Sequence, residues 1–266
     1  MKYKILCSDL DGTLLTTKSD VSEFTISQIS RIKEQLKVVL VSARMPQSMR
    51  YLQERLGIEK EAIICYNGAL VLHGEREVFS ATIDFKTVEK VYGLTEELGI
   101  RLGLYYKQEW YVEENSERVE KEINYTRTKP IFRPSIETLS DWKTRNLSAH
   151  KIMLMGTKSS ADIIFPQLMY NFSQSMNIYR SNDTLIELAP KSVSKLSAIQ
   201  LLLSANESLT EVISFGDNYN DIEMLVHSGL GIAVGNAREE VKAIANHITL
   251  KNTEDGVAHF IKQHLI

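Results

Sequence analysis

The sequence predicts an α/β fold in which a smaller α+β domain is inserted into a parallel-sheet core. Short apolar segments alternate with amphipathic segments at both ends of the chain, which is typical of a parallel sheet covered by helices. The middle of the chain instead places its strands in hairpin-like succession. With 266 residues, 43% of them hydrophobic, the chain is long enough for one large or two modest domains.

The first part of the chain alternates predicted strands and helices. Apolar, partly β-branched runs are typical of buried parallel strands, and they occur at residues 4–8, 38–41 and 62–65. Apolar side chains recur at helical spacing over residues 25–36. Pro46 suits the first turn of a second helix that ends before Gly57. Residues 70–73 and 78–80 then predict a hairpin.

The last part of the chain resumes this alternation. Its predicted helices cover residues 193–203, 221–228 and 238–245, and its predicted strands cover residues 211–215 and 230–234. Thr253 is the expected cap of a final helix that runs to Leu265. We therefore predict a Rossmann-like core domain made of residues 1–83 and 188–266.

The middle of the chain, residues 84–187, is the predicted inserted domain. Helices are expected over residues 86–98 and 160–172, and strands at 101–106, 110–112, 151–155, 177–179 and 185–188. Strands in hairpin-like succession favour an antiparallel sheet with helices on one side. The polar segment 115–146 receives no assignment.

Bulk properties exclude some classes of protein. The net charge is −3, and the basic residues are scattered rather than clustered, which argues against a nucleic-acid-binding protein. No apolar stretch is long enough to span a bilayer, and we expect no signal peptide. Cys7 and Cys65 follow apolar strands and are expected to be buried free thiols. These features predict a cytoplasmic protein without a membrane partner.

Two acidic residues, Asp9 and Asp11, follow the first predicted strand. Side chains alternate along a strand, and the two carboxylates meet over one site when the chain leaves the strand by the second of them. Gly12 supplies the turn that allows this. Crowded carboxylates repel each other unless a cation binds, and magnesium prefers oxygen ligands of this kind.

Polar side chains also follow two other predicted core strands. Ser42 and Ala43 end the second strand, the segment from Asp217 to Asp221 follows the strand at 211–215, and Lys195 begins the helix before that strand. Because ligands bind at the carboxyl ends of parallel strands, we expect these residues at one edge of the sheet. Taken singly, the lysine suggests a solvated side chain, Ser42 and Asp221 suggest helix caps, and Asp217 suggests a turn. Taken together, they favour a site for a phosphate and its metal ion.

The residue types suggest a role for each group. Asp9 can attack phosphorus and form an aspartyl phosphate, while Asp11 is placed to transfer protons to and from the reacting oxygens. Magnesium held by Asp9 and Asp217 would offset the repulsion between carboxylate and phosphate. Ser42, Lys195 and nearby backbone N–H groups can hold the phosphoryl oxygens.

At these positions the chain resembles the haloacid dehalogenase superfamily, and within it the Cof-type phosphatases with a C2B cap. The matching segments are Asp9 to Leu15, Ser42 to Arg44, Lys195, Asp217 to Asp221 with Met224 and Leu225, and Tyr66 to Ala69. The resemblance implies a cap, residues 84–187, that closes over the site, excludes water and selects the substrate. It also implies a substrate among small phosphorylated metabolites: sugar phosphates, nucleotides or phosphorylated cofactors.

The resemblance further implies individual roles. Asp9 would be the nucleophile, and Asp11 the general acid/base. The metal ion, Mg²⁺, would be held by Asp9, the backbone carbonyl of Asp11 and Asp217, with Asp221 supporting the metal shell. The phosphate would be contacted by Leu10 and Ala43 through their backbone N–H groups, and by Ser42, Lys195 and Asn220.

The sequence departs from the family pattern in two places. Ala43 stands where the family usually has glycine, and we expect the phosphate contact there to be kept. Ser192 and Leu196 replace glycines around Lys195, and Leu196 could crowd the helix start. Two alternative functions stay open: a sugar phosphomutase, and a non-catalytic phosphate-binding regulatory protein on the same fold. The substrate and the oligomeric state also stay open.

Overall fold

The computed structural model describes residues 2–17 and 19–265. The chain divides into two compact units: Met1–Phe79 with Ser194–Ile266, and the continuous segment Ser80–Val193. Each unit has its own β-sheet and its own cluster of buried apolar side chains. The two units are called the core unit and the inserted unit below.

The core unit begins with a short strand, β1 (Ile5–Ser8), that is buried along its whole length. The elements that follow it are α1 (Glu23–Ile32), β2 (Lys37–Val41), α2 (Pro46–Leu56), β3 (Ala62–Cys65), β4 (Leu70–His73) and β5 (Arg76–Ser80). Pro46 opens α2 as predicted, and Gly57 ends it in the left-handed conformation that glycine adopts without strain.

The inserted unit contains both helices and strands. Its elements are α3 (Phe85–Glu96), β6 (Arg101–Tyr106), β7 (Glu109–Val112), α4 (Glu117–Thr126), β8 (Ile131–Phe132), α5 (Ser135–Arg145), β9 (Lys151–Met155), α6 (Lys158–Phe172), β10 (Met176–Asn182) and β11 (Leu185–Pro190). Its sheet has the order β10-β11-β9-β6-β7-β8. Neighbouring strands are antiparallel except β7 and β8, which pair in parallel.

The chain then returns to the core unit. The remaining elements are α7 (Lys195–Gln200), β12 (Val212–Gly216), α8 (Ile222–His227), β13 (Leu230–Ala233), α9 (Glu239–Ile244), β14 (His247–Ile248) and α10 (Gly256–His264). The prediction that Thr253 caps the last helix is wrong. Thr253 lies inside a separate short turn, Asn252–Glu254, because Asp255 breaks the helical path with a φ of 56°.

The sheet of the core unit has the order β14-β13-β12-β1-β2-β3-β4-β5. The strand β1 lies between β12 and β2 and pairs with both in parallel. The carboxyl ends of these three strands therefore lie side by side at one edge of the sheet. The predicted fold class, an α/β fold with a parallel-sheet core, is confirmed.

Two further predictions can be compared with the described residues. Cys7 and Cys65 are buried free thiols, as expected. No helix among residues 2–17 and 19–265 is long and apolar enough to cross a membrane.

Candidate active site

The site is built around Asp9, which stands immediately after β1 and is 6% exposed. Its backbone N–H donates to the carbonyl of Phe215 at 3.0 Å, which fixes it beside the end of β12. One side-chain oxygen, Oδ1, accepts a hydrogen bond from Lys195 Nζ at 2.6 Å. The other oxygen, Oδ2, is buried and has no hydrogen-bond partner among the described residues. An unpartnered buried carboxylate oxygen is costly, so it indicates a position where a ligand binds.

Lys195 is a buried residue, and the alternative of a solvated lysine is wrong. Its side chain is 1% exposed, and Nζ donates to Asp9 Oδ1 and Asp221 Oδ1, each at 2.6 Å. Burial alone would lower the pKa of this amine, but the carboxylates of Asp221 and Asp9 outweigh burial and raise it. The lysine is therefore a fixed positive charge between two carboxylates.

Asp221 fixes the loop that follows β12. Its Oδ2 accepts hydrogen bonds from the backbone N–H groups of Asp217 at 2.9 Å and Asn218 at 3.0 Å, while its Oδ1 accepts from Lys195. Asp221 is the N-cap residue of α8, as the alternative of a helix cap predicts, but its side chain makes no capping hydrogen bond to this helix. The structure shows Asp221 holding both the loop and the lysine.

Asp217 completes a cluster of three acidic residues with Asp9 and Asp221, and each of the three offers an oxygen within 4.8 Å of the others. Burial, reinforced by Asp221, raises the pKa of Asp217 to about 7. Burial also raises the pKa of Asp9, and neighbouring Asp221 and Asp217 add to this although Lys195 opposes it. The three carboxylates of this cluster can carry more negative charge than the positive charge of Lys195 balances. Its oxygen donors and the open Oδ2 of Asp9 fit a divalent cation such as magnesium.

A turn over Leu10–Leu14 carries the chain past this cluster. Gly12 has a φ of 87°, and a Cβ atom at this position would lie 2.6 Å from Asp217 Oδ2. Thr13 Oγ1 donates to Asp217 Oδ1 at 3.2 Å. The glycine thus permits a close approach of the turn to Asp217, and the threonine fixes the carboxylate there.

The carboxylate of Asp11 forms an ion pair with Arg44. Arg44 Nη2 donates to Oδ1 at 2.6 Å, and Nε donates to Oδ2 at 2.7 Å, a two-point contact. The Arg44 side chain is 5% exposed and also donates to Ser48 Oγ at 3.0 Å, whereas the Asp11 side chain is 48% exposed. Arg44 is a residue of this site whose role was not predicted from the sequence. The sequence feature that could have indicated this ion pair is an arginine at the end of one strand, since another strand ends in an acidic turn.

The other predicted contact residues lie on the same loops. Leu10 and Ser42 are buried, and Ser42 Oγ accepts a hydrogen bond from the backbone N–H of Arg44 at 3.2 Å. The alternative that Ser42 caps α2 is wrong, because Met45 is the residue that precedes this helix. Ala43, the next residue, lies between Ser42 and Arg44.

Two residues discussed from the sequence, Asn220 and Leu196, have defined contacts in the structure. Asn220 Nδ2 donates to Asn67 Oδ1 at 3.0 Å, a partner that the sequence analysis did not assign. Leu196 packs against the apolar cluster of the core unit that includes Ile199. Leu196 lies in the first turn of α7, where this apolar packing accommodates the departure from glycine.

Comparisons with known proteins cover nearly the whole chain. The sequence model of a family described as haloacid dehalogenase-like hydrolase matches residues 6–261. A protein of Haemophilus influenzae named "Putative phosphatase" is 32% identical over 266 residues, which cover 99% of this chain and 98% of that protein.

Solved structures resemble the chain over a similar length. A haloacid dehalogenase-like hydrolase from Bacteroides thetaiotaomicron is 28% identical, with a TM-score of 0.89 over 98% of this chain and 99% of that one. A sugar phosphatase of subclass IIB of the same superfamily is 25% identical, with a TM-score of 0.81 over 97% of this chain and 98% of that one. These similarities extend through both units.

Proposed function

The chain belongs to the haloacid dehalogenase-like hydrolases and is a phosphatase of this family, and we propose that it hydrolyses small phosphate monoesters through an aspartyl phosphate on Asp9. The resemblance to the superfamily and its Cof-type phosphatases, drawn from the motifs, is confirmed. One observation carries the proposed mechanism. Asp9 is a buried carboxylate with one unpartnered oxygen, held beside a buried ammonium group and two further acids.

The reaction would proceed in two displacements. In the first, a carboxylate oxygen of Asp9 forms a bond to phosphorus as the ester P–O bond breaks, and Asp11 gives its proton to the departing alkoxide. In the second, Asp11 takes a proton from water as the water oxygen attacks phosphorus. The bond between phosphorus and the Asp9 oxygen then breaks, which releases inorganic phosphate and restores the carboxylate.

Asp11 must leave Arg44 to act in this way. In the structure both of its oxygens accept hydrogen bonds from the guanidinium, so both are occupied and neither is free to contact the ester or a water molecule. Its half-exposed side chain has room to rotate, whereas Arg44 is buried and fixed by Ser48. We propose that the proton-transferring state of Asp11 forms when this contact opens.

The metal would be bound by Asp9, Asp217 and the backbone carbonyl of Asp11. Asp221 would support it by holding the loop of Asp217 in place, since its own oxygens already accept hydrogen bonds. When bound, Mg²⁺ offsets the repulsion between the attacking carboxylate and the phosphate dianion. Lys195 supplies a fixed positive charge at Asp9 Oδ1.

The phosphate would be held by the side chains of Ser42, Lys195 and Asn220 and by the backbone N–H groups of Leu10 and Ala43. We propose that residues 84–187, within the inserted unit, form a cap that selects the substrate. The partner would be a small phosphorylated metabolite in the cytoplasm, and sugar phosphates are the first class to test because a similar structure is that of a sugar phosphatase.

The test is release of inorganic phosphate from a panel of sugar phosphates, nucleotides, pyridoxal phosphate and an aryl phosphate. We expect release with magnesium, and loss of release with EDTA that is restored by excess magnesium. Isomerised sugar phosphate with little free phosphate would instead support a mutase. Phosphate binding without turnover of any ester would support a regulatory binding protein.

Stability should depend on pH in a way that magnesium alters. The pKa of Asp217 is about 7 in the folded protein, and an unfolded aspartate titrates near 3.9. Between these values the folded state binds the extra proton. The free energy of unfolding should therefore fall as pH rises, by at most about 1.4 kcal/mol per pH unit for this group. Above the folded pKa this dependence should level off.

Magnesium competes with that proton, so it should stabilise the protein more at about pH 8 than at about pH 5. At roughly one hundred times its dissociation constant, the expected gain is about 2.7 kcal/mol. Urea unfolding at both pH values, with magnesium or with EDTA, measures the effect. Asp217→Asn is the matched control and should lose the part of the pH dependence that comes from this carboxyl, and most of the magnesium response. Equal stabilisation by magnesium at both pH values would contradict the prediction.

A further inference from the structure

We propose that the turn Tyr66–Gly68 positions the phosphate-binding loops, and that Asn67 is the positioning residue that orients Asn220 toward the phosphate. This inference deepens the proposed function and rests on it. The turn follows β3, and it belongs to the segment Tyr66 to Ala69 that resembles the family pattern but has no predicted role.

The backbone of this turn is strained. Tyr66 has a φ of 53°, Asn67 of 56° and Gly68 of 106°, so three consecutive residues adopt positive φ values. Only glycine adopts this region freely, and asparagine tolerates it better than most other residues. Tyr66 is 1% exposed, so a bulky, buried residue is held in an unfavourable conformation. Such strain persists only where surrounding contacts impose it, and it is concentrated at functional sites.

Hydrogen bonds join the strained turn to the loop after β2. The backbone N–H of Tyr66 donates to the carbonyl of Arg44 at 3.2 Å, and that of Asn67 donates to the carbonyl of Ser42 at 2.9 Å. These bonds form across the ends of two neighbouring parallel strands. The turn therefore fixes the backbone on both sides of Ala43, where the proposed phosphate contacts lie.

The side chain of Asn67 reaches the loop after β12. It is 8% exposed, and its Oδ1 accepts a hydrogen bond from Asn220 Nδ2 at 3.0 Å. An amide NH₂ group has two N–H donors, so one is occupied by Asn67 and the second has its direction set by this contact. Asn67 thereby fixes the plane of the carboxamide that we propose binds phosphate.

Gly68 brings the same turn against the start of α7. A Cβ atom at this position would lie 2.3 Å from the carbonyl oxygen of Ser194, the residue before Lys195. The turn thus contacts the loops that carry Ser42, Lys195 and Asn220. Asparagine meets both demands at position 67, because it tolerates positive φ and offers an acceptor oxygen.

The informative substitution is Asn67→Gly, because glycine keeps the positive φ and removes only the carboxamide. We expect kcat/KM for phosphate release to fall about tenfold, and the dissociation constant for inorganic phosphate, measured by calorimetry with magnesium, to rise by a similar factor. The matched control is Asn146→Gly, which changes another asparagine of positive φ (53°) at the end of α5. It should leave both quantities unchanged.

A double-mutant cycle separates positioning from a general structural effect. If Asn67 acts through Asn220, the double variant Asn67→Gly/Asn220→Ala should be no worse than Asn220→Ala alone. Additive losses would overturn the inference, as would unchanged phosphate binding in Asn67→Gly. Should Asn67→Gly fail to fold, Asn67→Asp keeps both the turn preference and an acceptor for Asn220. That variant should retain kcat within about threefold, and a larger loss would count against the inference.

The two readouts distinguish failure of the inference from failure of the proposed function. An active wild type with an unaffected Asn67→Gly variant overturns the inference alone. A wild type that binds phosphate but hydrolyses no ester overturns the proposed function alone, provided that Asn67→Gly still weakens phosphate binding. A wild type that neither hydrolyses an ester nor binds phosphate overturns both.

Discussion

Asp9→Asn should abolish phosphate release while the protein stays folded. Asparagine preserves the shape of the side chain and an acceptor for Lys195 Nζ, which also keeps its contact with Asp221. It removes the anionic oxygen that would attack phosphorus. Loss of a catalytic nucleophile lowers kcat by a factor on the order of 10⁴ to 10⁶, and we expect a decrease in this range.

Phosphate release under saturating magnesium and substrate measures this effect, and thermal unfolding with EDTA checks that the variant is folded. Asp20→Asn is a suitable control, because Asp20 pairs with Arg55 at the surface of the core unit. It should leave kcat unchanged. Activity of Asp9→Asn near the wild-type level would mean that another group is the nucleophile.

Gly12→Ala should have the second-largest effect on activity. A methyl group here would lie 2.6 Å from Asp217 Oδ2, and the φ of 87° disfavours alanine. Asp217 cannot readily move away, because its side chain accepts a hydrogen bond from Thr13 and its backbone N–H donates to Asp221. Displacing a catalytic group by about 1 Å can cost a factor of about 100, so we expect kcat/KM to fall by at least that amount.

Gly74→Ala is the matched control for this substitution. Gly74 also has a positive φ, 59°, but a Cβ atom there would meet nothing within 4 Å. It should therefore show the backbone strain alone, about 1–2 kcal/mol in the free energy of unfolding, without loss of activity. Steady-state kinetics and urea unfolding of both variants make the comparison. Similar kinetic losses in both would show that contact with Asp217 is not the cause.

Much of the candidate site was predictable because its residues stand at strand ends. Once β1, β2 and β12 are recognised as neighbouring parallel strands, the sheet itself brings Asp9, Ser42 and Asp217 to one edge. Lys195 is not at a strand end: it begins α7, the helix before β12, and its side chain reaches Asp9. The backbone topology determines these positions, and local sequence patterns carry information about that topology.

The partners of individual side chains were not predictable in the same way. The ion pair between Asp11 and Arg44 and the hydrogen bond between Asn220 and Asn67 join residues that are 33 and 153 positions apart. Which acid an arginine pairs with depends on side-chain directions in the folded protein, and no spacing rule along the chain encodes these directions. The strained backbone of Asn67 likewise arises from tertiary contacts.

Segment 115–146 received no assignment because hydrophobic periodicity does not reveal its elements. The helix α4 buries only Val119 and Thr126, and both residues of β8 are exposed. Apolar periodicity arises because one face of an element is buried, so elements with little buried surface give a weak signal. The final helix was placed too early for a different reason, since the left-handed Asp255 is a local break that a capping pattern does not report.

The order of strands in the core sheet also has a consequence for synthesis on the ribosome. The central strand β1 emerges first, but its neighbour β12 lies beyond the whole inserted unit. The inserted unit is continuous in the chain, so it can fold as soon as it has left the exit tunnel. The core sheet must wait for β12, with β1 lacking one of its two partners. Phosphatase activity should therefore appear only after nearly the full chain is made, and truncated nascent chains should expose an unpaired apolar strand that chaperones bind.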